Sequence, residues 1–417
     1  MQTNIVYSGP IRFAVPALLL AVALMSSACG WLQDKRDESK GIKVESLKAA
    51  DGYRVNVLAT GLPKARHMAL GDRGTLFVGS MAGNVYALTL KGGVVTDQRT
   101  VIKGLTSPSG IAFRDGTLYV ANRTSVVRFE KIEDRLDNPG APVTVISGLP
   151  DKARHDAHAM NFGPDGKLYV AIGSPCDACE ATNDEYGVII RVNPDGSGRE
   201  VVARGIRNSV GFDWNPKTKE LWFTDNGADA LGPDRPNDEL NRVSKLGENF
   251  GFPYCHDRDI SDPKLGSKHA CSEFTPPALG LGAHVASLGM RFDTSAPASA
   301  PVSMIVARHG SHPPQRVAYD VVRVIVQDGQ APRMEPFLTG FRQGHEFWGR
   351  PVDVLVMRDG AVLVSDDLNG AIYRVAKDKV TVGHLSLAVL RRGQALPGFA
   401  LPPRAMTADR QAGIQTH

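Results

Sequence analysis

A short pattern of apolar and polar positions recurs six times along the chain. Each copy is an apolar stretch, a turn containing Gly, Asp or Pro, and a strand rich in β-branched and aromatic residues: MALGDRGTLFVGS, IAFRDGTLYVAN, MNFGPDGKLYVAIG, FDWNPKTKELWFTDN, MRFDTSAPASAPVSMIVARHG and VLVMRDGAVLVSDD. Further strands such as GNVYALTL and AIYRV follow several copies. Alternating apolar residues around Asp-Gly turns are typical of β-hairpins. Each copy therefore predicts a small antiparallel sheet.

The spacing of the copies predicts how these sheets assemble. They recur about every 40 to 60 residues, which is typical of propeller blades, with one longer interval between Asp225 and Met304. A blade cannot bury both of its faces alone, so the blades must pack face to face around an axis. Strands from both chain ends, or a tight terminal contact, must then close the ring. We predict an all-β fold, a six-bladed β-propeller with four-stranded antiparallel blades, over residues 44–376.

The segments outside the repeats have other patterns. Residues 1–29 combine Arg12, a short apolar run and SSAC, which predicts an export signal, and lipidation of Cys29 is favoured over plain cleavage. Residues 30–43 are expected to form a polar tether, and residues 377–417 a C-terminal tail. The long interval after Asp225 is expected to cross one face of the disc. We therefore expect a periplasmic protein, anchored to the outer membrane only through Cys29.

Export also changes how the cysteines are interpreted. Four of the five lie beyond the signal, and an even number in an oxidising compartment predicts two local disulfides, Cys176–Cys179 and Cys255–Cys271. A redox-active or zinc-binding CDAC pair is the alternative. It is less favoured because no second CxxC pair and no suitably spaced histidine accompany it.

Composition narrows the class of protein. The chain has 417 residues, of which 42% are hydrophobic and 22% charged, which is enough to build a large core. Its formal net charge is only +4, and the sequence contains no long run of basic residues. Nucleic acid is therefore not expected as a partner.

Polar residues that flank the inner strand of each blade are expected to converge on the central channel. These residues are His155, His158, Arg207, Asn208, Asp225, Asn226, Asp238, Glu239, Arg308, His309, Arg350, Asp353, Asp366 and Asp367. In GIRNSVGF, an arginine fork could hold a carboxylate or quinone oxygen, although a solvated turn is favoured from this stretch alone. WFTDNGADALGPDRPNDELNRV supplies oxygen donors of the kind that Ca²⁺ uses, without EF-hand spacing, and a solvated acidic loop fits its composition equally well.

A resemblance to a known family rests on five segments of the chain. HDAHAMNFGPDGKLYVAIGSPCDACE, GIRNSVGFDWNPKTKELWFTDNGADALGPDRPNDELNRV, ENFGFPYCH, GAHVASLGMRF and GRPVDVLVMRDGAVLVSDDLNGAIYRV resemble the soluble sugar dehydrogenases that depend on pyrroloquinoline quinone (PQQ). That group contains the soluble glucose, aldose sugar and L-sorbosone dehydrogenases. The resemblance implies an exported six-bladed propeller that binds PQQ and Ca²⁺. It also implies oxidation of an aldose sugar or related aldehyde, with electrons passed to a respiratory acceptor, a cytochrome or a quinone.

The resemblance also implies roles for individual residues. His155 would be the catalytic base that takes the hydroxyl proton while hydride leaves for the quinone, with His158 as the runner-up. The implied metal-binding residues are Gly227, Ala228, Asp238 and Glu239. The implied cofactor-binding residues are Arg207, Asn208, Arg350 and Asp366. We add Asn226 and Arg308 to the predicted cofactor-binding residues because both flank inner strands.

The chain departs from the family in its fifth unit. Sorbosone-type relatives commonly have an acidic residue, His-Gly-Ser and then Trp-Asn-Arg, whereas this chain reads ARHGSHPPQR. A basic quinone contact is therefore either missing or supplied by Arg308 or Arg316. Val210 also stands where the glucose enzymes have glutamine. Cofactor affinity and substrate range are expected to respond to these changes.

Two functions of other classes remain open at this point. One is a calcium-dependent lactonase of propeller fold, which needs carboxylates around one axial metal. The other is a non-catalytic propeller that binds an envelope carbohydrate or protein. The oxidoreductase is favoured because the predicted axial residues are half cationic, which suits an anionic cofactor.

Overall fold

Each predicted unit forms one sheet in the computed structural model, which describes residues 41–151, 154–311, 316–327 and 329–378. We number the sheets as blades 1 to 6 in chain order. Blade 1 consists of Ala65–Leu70, Thr75–Ser80, Val85–Lys91 and Val94–Ile102. Blade 2 consists of Gly110–Arg114, Thr117–Ala121, Ser125–Phe129 and Val143–Ser147. Blade 3 consists of Met160–Phe162, Leu168–Ile172, Val188–Val192 and Glu200–Arg204.

The second half of the ring repeats this architecture. Blade 4 consists of Gly211–Trp214, Leu221–Asp225, Asn237–Val243 and Leu279–Ala283. Blade 5 consists of Ser287–Phe292, Val302–Arg308, Asp320–Val326 and Arg333–Thr339. Blade 6 consists of Pro351–Val356, Val362–Asp366, Ala371–Lys377 and Tyr53–Ala59. The predicted six-bladed β-propeller is confirmed, and the quoted repeats supply the first two strands of each blade.

Two blades have a fifth strand that the repeat did not predict. Lys48–Ala49 pairs with the outer strand of blade 5. Glu248–Asn249 pairs in parallel with the outer strand of blade 3. Both strands are two residues long and come from segments outside the repeats, so no repeated pattern marks them.

The amino-terminal strand closes the ring. Tyr53–Ala59 runs antiparallel to Ala371–Lys377, and Tyr53 pairs with Lys377. Blade 6 therefore takes one strand from the start of the propeller and three from its end. This is one of the two expected modes of closure, and it joins the two ends of the ring by backbone hydrogen bonds.

Hydrophobic side chains fill the spaces between neighbouring blades. Consecutive residues of a strand point to opposite faces. Phe77 in the second strand of blade 1 packs against blade 2, whereas its neighbours Leu76 and Val78 pack against blade 6. Burial of one such side chain stabilises the fold by about 1.5–3 kcal/mol. A strand inside the ring is therefore apolar on both faces.

The predicted excursion starts later than expected. It begins after Val243, the end of the third strand of blade 4, and fills residues 244–278 before the fourth strand. It contains the hairpin strands Cys255–His256 and Ile260–Ser261 and the 3₁₀ turns Gly266–Lys268 and Cys271–Glu273. The other short elements are the 3₁₀ turns Val44–Ser46, Ile132–Asp134 and Asp229–Leu231, and the hairpin strands Arg342–Gln343 and Glu346–Phe347.

Both predicted disulfides are formed. Cys176 is bonded to Cys179 after the second strand of blade 3, and Cys255 is bonded to Cys271 within the excursion. The predicted export signal with Cys29, all but the last three residues of the 30–43 tether and nearly all of the 377–417 tail lie outside the described residues. Within the described part, no helix has the length and apolar character needed to cross a membrane.

Candidate active site

The predicted site residues gather at one face of the disc. We call it the top face: the side on which the inner strand of each blade begins and the second strand ends. Antiparallel pairing brings these two ends together, as when Gly211 pairs with Thr224 and Pro351 with Asp366. Loops that precede inner strands and loops that follow second strands therefore meet on this side. His155, Arg207, Asn226, His309 and Arg350 all lie in such loops.

His155 has a defined tautomer because of its contacts with Ser174. Its Nδ1 lies 3.1 Å from the Ser174 carbonyl oxygen and 3.2 Å from the Ser174 hydroxyl. That hydroxyl donates its own proton to the Cys176 carbonyl, 2.8 Å away. Both Ser174 oxygens can therefore only accept from Nδ1, so Nδ1 carries the proton. In the neutral ring, Nε2 holds the free lone pair.

The surroundings of His155 also keep its ring neutral. Burial and the nearby positive charge of Arg207 lower the pKa of His155 to about 3. At neutral pH, the side chain is therefore an uncharged base. A general base at this position requires that protonation state.

Arg207 does not have the free guanidinium fork that we predicted. Its Nε donates to the Asp177 carbonyl at 2.8 Å, and its Nη2 donates to Asp177 Oδ1 at 2.6 Å and to Asp229 Oδ2 at 3.1 Å. Its Nη1 donates to the Asn226 carbonyl at 3.2 Å. The residue is only 4% exposed. Because acceptors in the protein take four of its five N–H groups, Arg207 cannot hold a guest in two parallel bonds, and this part of the prediction is corrected.

Asn208 lies directly beside His155. Gly173 makes this approach possible, because a Cβ at residue 173 would lie 2.5 Å from the Cβ of His155 and 3.2 Å from Oδ1 of Asn208. Asn208 Nδ2 donates to Asn226 Oδ1 at 3.2 Å. Asn226 in turn donates from Nδ2 to the Ser287 carbonyl of blade 5 at 2.7 Å. These two amides connect the loops of blade 4 next to His155 with blade 5.

A small, partly enclosed cavity lies beside this group. It is lined by Gly205, Arg207, Asp225, Asn226, Gly227, Glu239, Phe250, Phe252, Cys255 and His256. Burial raises the pKa of Asp225 to about 7 and raises the pKa of Glu239 well above its usual range, with further upward contributions from neighbouring carboxylates. Two buried carboxylates at one cavity are stabilised as anions when a cation lies between them.

The cavity residues fit Ca²⁺ by the chemistry of their donors. Ca²⁺ takes six to eight oxygen ligands from carboxylates and backbone carbonyls. Asp225 and Glu239 provide the carboxylates, and Gly227, a predicted metal-binding residue, also lines the cavity. Across the described residues, no group of three His, Cys, Asp or Glu side chains forms a ready-made metal site. The backbone must therefore complete any coordination shell.

Asp238 has a different position from the one predicted for a metal ligand. Its Oδ1 accepts from the Gly227 N–H at 3.0 Å, and its Oδ2 accepts from the Ser287 N–H at 2.7 Å. It therefore fastens the loop that contains Gly227 to blade 5. Asp225, which the family resemblance did not assign, takes its place beside Glu239. Ala228 is fully buried next to Gly227.

A second group of charged residues lies on blades 5, 6 and 1. His309 Nε2 contacts Asp367 Oδ1 at 2.9 Å, and Arg66 Nη1 donates to Asp367 Oδ2 at 3.0 Å. Arg66 was missed because no motif singled out the ARHM stretch of the first blade. The sequence signal was two adjacent basic residues, Arg66 and His67, at the start of an inner strand.

Arg350 belongs to this group, and some of its guanidinium N–H donors have no acceptor among the described residues. Its guanidinium donates to the Gly310 carbonyl at 3.2 Å and contacts the His309 carbonyl at 3.5 Å. It forms no salt bridge with a carboxylate of the described residues. Its guanidinium therefore keeps donors available for an anion, and its role as a cofactor contact stays a prediction.

Two other predicted residues, Asp366 and Arg308, have structural contacts instead. Asp366 is 0% exposed and accepts from the backbone of Arg350 and from Tyr373, so it cannot touch a guest. Arg308 forms two bonds with Asp320, at 2.7 and 2.6 Å, and its Nη1 donates to the Leu281 carbonyl. Both residues are removed from the expected cofactor set.

The contacts of Arg316 and His158 decide the two alternatives that the sequence left open for the basic contact and for the base. Arg316 binds Glu346 and the His345 carbonyl, so neither arginine of the altered fifth unit supplies the expected basic contact. The HPPQ stretch, residues 312–315, lies outside the described residues. His158 is 1% exposed, and both of its ring nitrogens face backbone carbonyls, of Ala171 and Arg123. This histidine is therefore a bridge between blades rather than a base.

His67 crosses the hub and connects the two groups of site residues. Its Nδ1 lies 3.1 Å from the Ser109 carbonyl of the loop before blade 2, and its Nε2 lies 2.8 Å from the Val210 carbonyl of the loop before blade 4. Blades 1 and 4 are on opposite sides of the ring. Asp353 of blade 6 is also fully buried at the hub, where Oδ2 accepts from the Met68 N–H.

The fold and site define a six-bladed propeller that has, on one face, a neutral histidine, an acidic cavity and an arginine without a salt bridge to any described residue. The TrAA12-like family model matches residues 47–378. The chain therefore belongs to the TrAA12-like family. This match agrees with the family resemblance inferred from the sequence.

Individual relatives extend the comparison. The chain is 29% identical over 354 residues to an uncharacterized protein of Borreliella burgdorferi. That alignment covers 80% of this chain and 92% of the relative. It is 24% identical over 364 residues to the pyrroloquinoline quinone-dependent sugar dehydrogenase of Hypocrea jecorina. That alignment covers 74% of this chain and 83% of the relative. The calcium structure of a Trichoderma reesei carbohydrate-active enzyme of family AA12 superimposes on this structure with a TM-score of 0.70 at 20% identity. The superposition covers 82% of this chain and 99% of that enzyme's chain.

Proposed function

We propose that this protein is a PQQ-dependent oxidoreductase that oxidises an aldose sugar or a related, sorbosone-like aldehyde. The observation that carries the proposal is the state of His155: Nδ1 is protonated toward Ser174, Nε2 accepts no hydrogen bond from a described residue, and burial keeps the ring neutral. The family match and the named Hypocrea relative support the same class of reaction.

His155 performs the proton step in this proposal. A hydroxyl of the substrate at its reacting carbon donates its proton to Nε2 as the hydride leaves that carbon. PQQ, when bound, supplies the electrophilic quinone carbon that accepts the hydride. Asn208, next to His155, has an amide suited to a hydrogen bond with a carbonyl or hydroxyl oxygen.

The residues that would hold the cofactor follow from the charges of the site. PQQ is a flat tricarboxylate, and Arg350 is the unpaired guanidinium suited to one of its carboxylates. Asp225, Glu239 and the Gly227 backbone would hold Ca²⁺ in the neighbouring cavity. A divalent cation there would compensate the two buried negative charges of Asp225 and Glu239, which lie at the same cavity.

The cellular setting of the proposal comes from the sequence alone. We propose that the protein works in the periplasm, anchored to the outer membrane through Cys29, and passes electrons to a respiratory cytochrome or quinone. The export signal supports the compartment, and the two disulfides suit oxidising surroundings.

The proposal is tested with protein that lacks residues 1–29. PQQ and Ca²⁺ are added, cofactor absorbance is measured, and an artificial dye reports electron release from a panel of aldoses and sorbosone. We expect bound cofactor and sugar-dependent dye reduction. Absence of cofactor binding would contradict the proposal and favour a non-catalytic binding propeller.

A histidine pair gives the matched comparison. His155→Asn should retain cofactor binding and lose about 10²–10⁴-fold in kcat, because it removes only the proton acceptor. His269→Asn, at an exposed histidine of the excursion, should leave kcat unchanged. Equal activity of both variants would remove His155 from the mechanism.

A further inference from the structure

The Cys176–Cys179 disulfide closes a short loop that contacts both His155 and Arg207. The loop, residues 174–179, follows the second strand of blade 3. Its first residue, Ser174, fixes the tautomer of His155. Its fourth residue, Asp177, binds the guanidinium of Arg207. We call this segment the disulfide loop.

Asp177 and Arg207 fasten each other through both backbone and side chain. Arg207 donates from Nε to the Asp177 carbonyl at 2.8 Å and from Nη2 to Asp177 Oδ1 at 2.6 Å. In the opposite direction, the Ser174 N–H donates to the Arg207 carbonyl at 2.8 Å. A displacement of Arg207 therefore breaks three hydrogen bonds to the disulfide loop.

The carboxylate of Asp177 has further partners on the 3₁₀ turn Asp229–Leu231. Its Oδ1 accepts from the Asp229 N–H at 3.0 Å, and its Oδ2 accepts from the Ala230 N–H at 3.2 Å. Asp177 thus joins the disulfide loop to the segment that follows Gly227 at the acidic cavity. Burial opposes its ionisation, but the hydrogen bonds from Asp229 and Arg207 outweigh burial and lower its pKa to about 2.

The excursion supports the disulfide loop from outside. Glu180, the residue after Cys179, accepts from the Tyr254 hydroxyl at 2.8 Å and from Lys268 Nζ at 2.6 Å. Lys268 lies within the part of the excursion that the second disulfide closes, and Tyr254 directly precedes that part. The disulfide loop is therefore held at both of its ends.

We infer that Asp177 is a positioning residue: held by the Cys176–Cys179 disulfide, it fixes Arg207 and keeps Ser174 against Nδ1 of His155, so that Nε2 is presented as the base. The inference rests on the proposed function for its kinetic consequences. The tautomer of His155 is a property of the protein itself and can be measured without cofactor.

Two variants release the disulfide loop in different ways. Asp177→Asn removes the charge that holds Arg207 and keeps the disulfide, whereas Cys176→Ser with Cys179→Ser opens the loop and keeps Asp177. Asp195→Asn is the matched control, because Asp195 lies in an exposed turn of the same blade and its carboxylate accepts hydrogen bonds from Ser197, the one partner it has among the described residues. Thermal unfolding of all variants confirms that each one is folded.

The first readout is the ¹⁵N spectrum of the His155 ring in protein without cofactor. Wild type and Asp195→Asn should show Nδ1 protonated and Nε2 unprotonated. In both loop variants, we expect a substantial population of the opposite tautomer. Wild-type ring shifts in both loop variants would overturn the inference.

The second readout is steady-state kinetics with PQQ and Ca²⁺. A misplacement of about 1 Å in the reacting groups costs on the order of 10²-fold in rate, so Asp177→Asn should lower kcat by about 10- to 100-fold while the KM for sugar stays within about twofold. A kcat equal to that of Asp195→Asn would overturn the inference.

A double-mutant cycle shows whether Asp177 acts through Arg207. In an Arg207→Gln background, Asp177→Asn should lower kcat by less than about threefold, because the partner is already lost. Full additivity of the two effects would overturn the inference. If wild-type protein shows neither cofactor binding nor turnover, the proposed function fails, and the ¹⁵N spectra still decide the positioning role.

Discussion

The chemistry of His155 follows from what each ring nitrogen faces. Nδ1 must donate because both oxygens of Ser174 near it can only accept. Burial and Arg207 disfavour the protonated ring. The structure therefore presents Nε2 as an unprotonated base without any carboxylate hydrogen-bonded to the imidazole. A backbone carbonyl and a serine hydroxyl orient the ring instead.

The first prediction concerns the titration of this histidine. The ring of His155 should stay neutral well below the ordinary histidine pKa of about 6.5, because the folded protein disfavours its charged form. NMR titration of protein without cofactor should give a midpoint below about pH 5. A midpoint of His155 near the ordinary histidine value of about 6.5 would contradict this account of its environment.

The second prediction concerns the unpaired cation of the top face. Arg350→Gln should weaken PQQ binding about 10- to 100-fold, since a charge-assisted hydrogen bond contributes about 1.5–3 kcal/mol. Arg316→Gln is the control, because Arg316 is already paired with Glu346. Cofactor absorbance titrations give both dissociation constants. Equal constants for Arg350→Gln and wild type would show that the anion binds elsewhere.

Sequence reasoning located site residues more reliably than it assigned their partners. His155 and Asn208 were predicted beside inner strands, and both lie together against Gly173. The predicted positions at the ends of the strands on the top face were also right for Arg207, Arg308 and Asp366. The side chains of these three residues, however, are hydrogen-bonded to other residues of the protein rather than open to a cofactor. Strand pattern determines which end of a blade a residue occupies. The direction of a long side chain depends on contacts with loops that no pattern predicts.

At the scale of elements, the excursion is the feature that shapes the site. Its residues Phe250, Phe252, Cys255 and His256 form part of the wall of the acidic cavity. Glu239 also accepts from the Asp257 N–H at 2.7 Å, so the excursion orients one of the two carboxylates. The disulfide between Cys255 and Cys271, which are 16 residues apart, closes about half of this segment. The excursion and the predicted calcium site are therefore coupled.

The third prediction tests this coupling. Replacement of both Cys255 and Cys271 by Ser should lower the free energy of unfolding by about 3 kcal/mol and weaken Ca²⁺ binding by at least about tenfold. Titration calorimetry with Ca²⁺ and chemical denaturation give the two values. Ca²⁺ affinity is compared under conditions in which denaturation shows that both the wild type and the variant are folded. Unchanged Ca²⁺ affinity in the Cys255 and Cys271 variant would separate the excursion from the metal site.

The blades themselves were predictable because their pattern is repeated and local. Alternation around short turns specified the first two strands of every blade. The strands Lys48–Ala49 and Glu248–Asn249 were not predicted, because two-residue strands carry no periodicity. The start of the excursion was placed too early, since the third strand of blade 4 contains the polar run NDELNR. Its buried acidic and amide side chains resemble a loop in sequence.

At the scale of the whole molecule, stability depends on a closed ring. Each of the six spaces between blades has its own hydrophobic cluster, and the cluster between blades 6 and 1 includes Ile372 and Leu76. His67 adds a contact across the hub from blade 1 to the loop before blade 4. Opening one blade should therefore disturb the top face on the opposite side of the disc.

The fourth prediction concerns closure by the amino-terminal strand. Protein that starts after Ala59 lacks the outer strand of blade 6, whereas protein that starts at residue 41 retains it. The shorter protein should unfold at a temperature at least about 10 °C lower, because several kcal/mol of strand pairing and burial are lost. Differential scanning calorimetry compares the two. Equal midpoints would show that the ring does not need this strand.

The central claim is that the top face holds a flat anionic quinone between His155 and Arg350, with Ca²⁺ at Asp225 and Glu239. A crystal structure of the protein with PQQ and Ca²⁺ tests this most directly. We predict a quinone carboxylate within about 3.2 Å of the Arg350 guanidinium, the ring system facing Nε2 of His155, and metal density at both carboxylates. A quinone bound on the other face of the disc, or with His155 out of reach of its ring, would contradict the account.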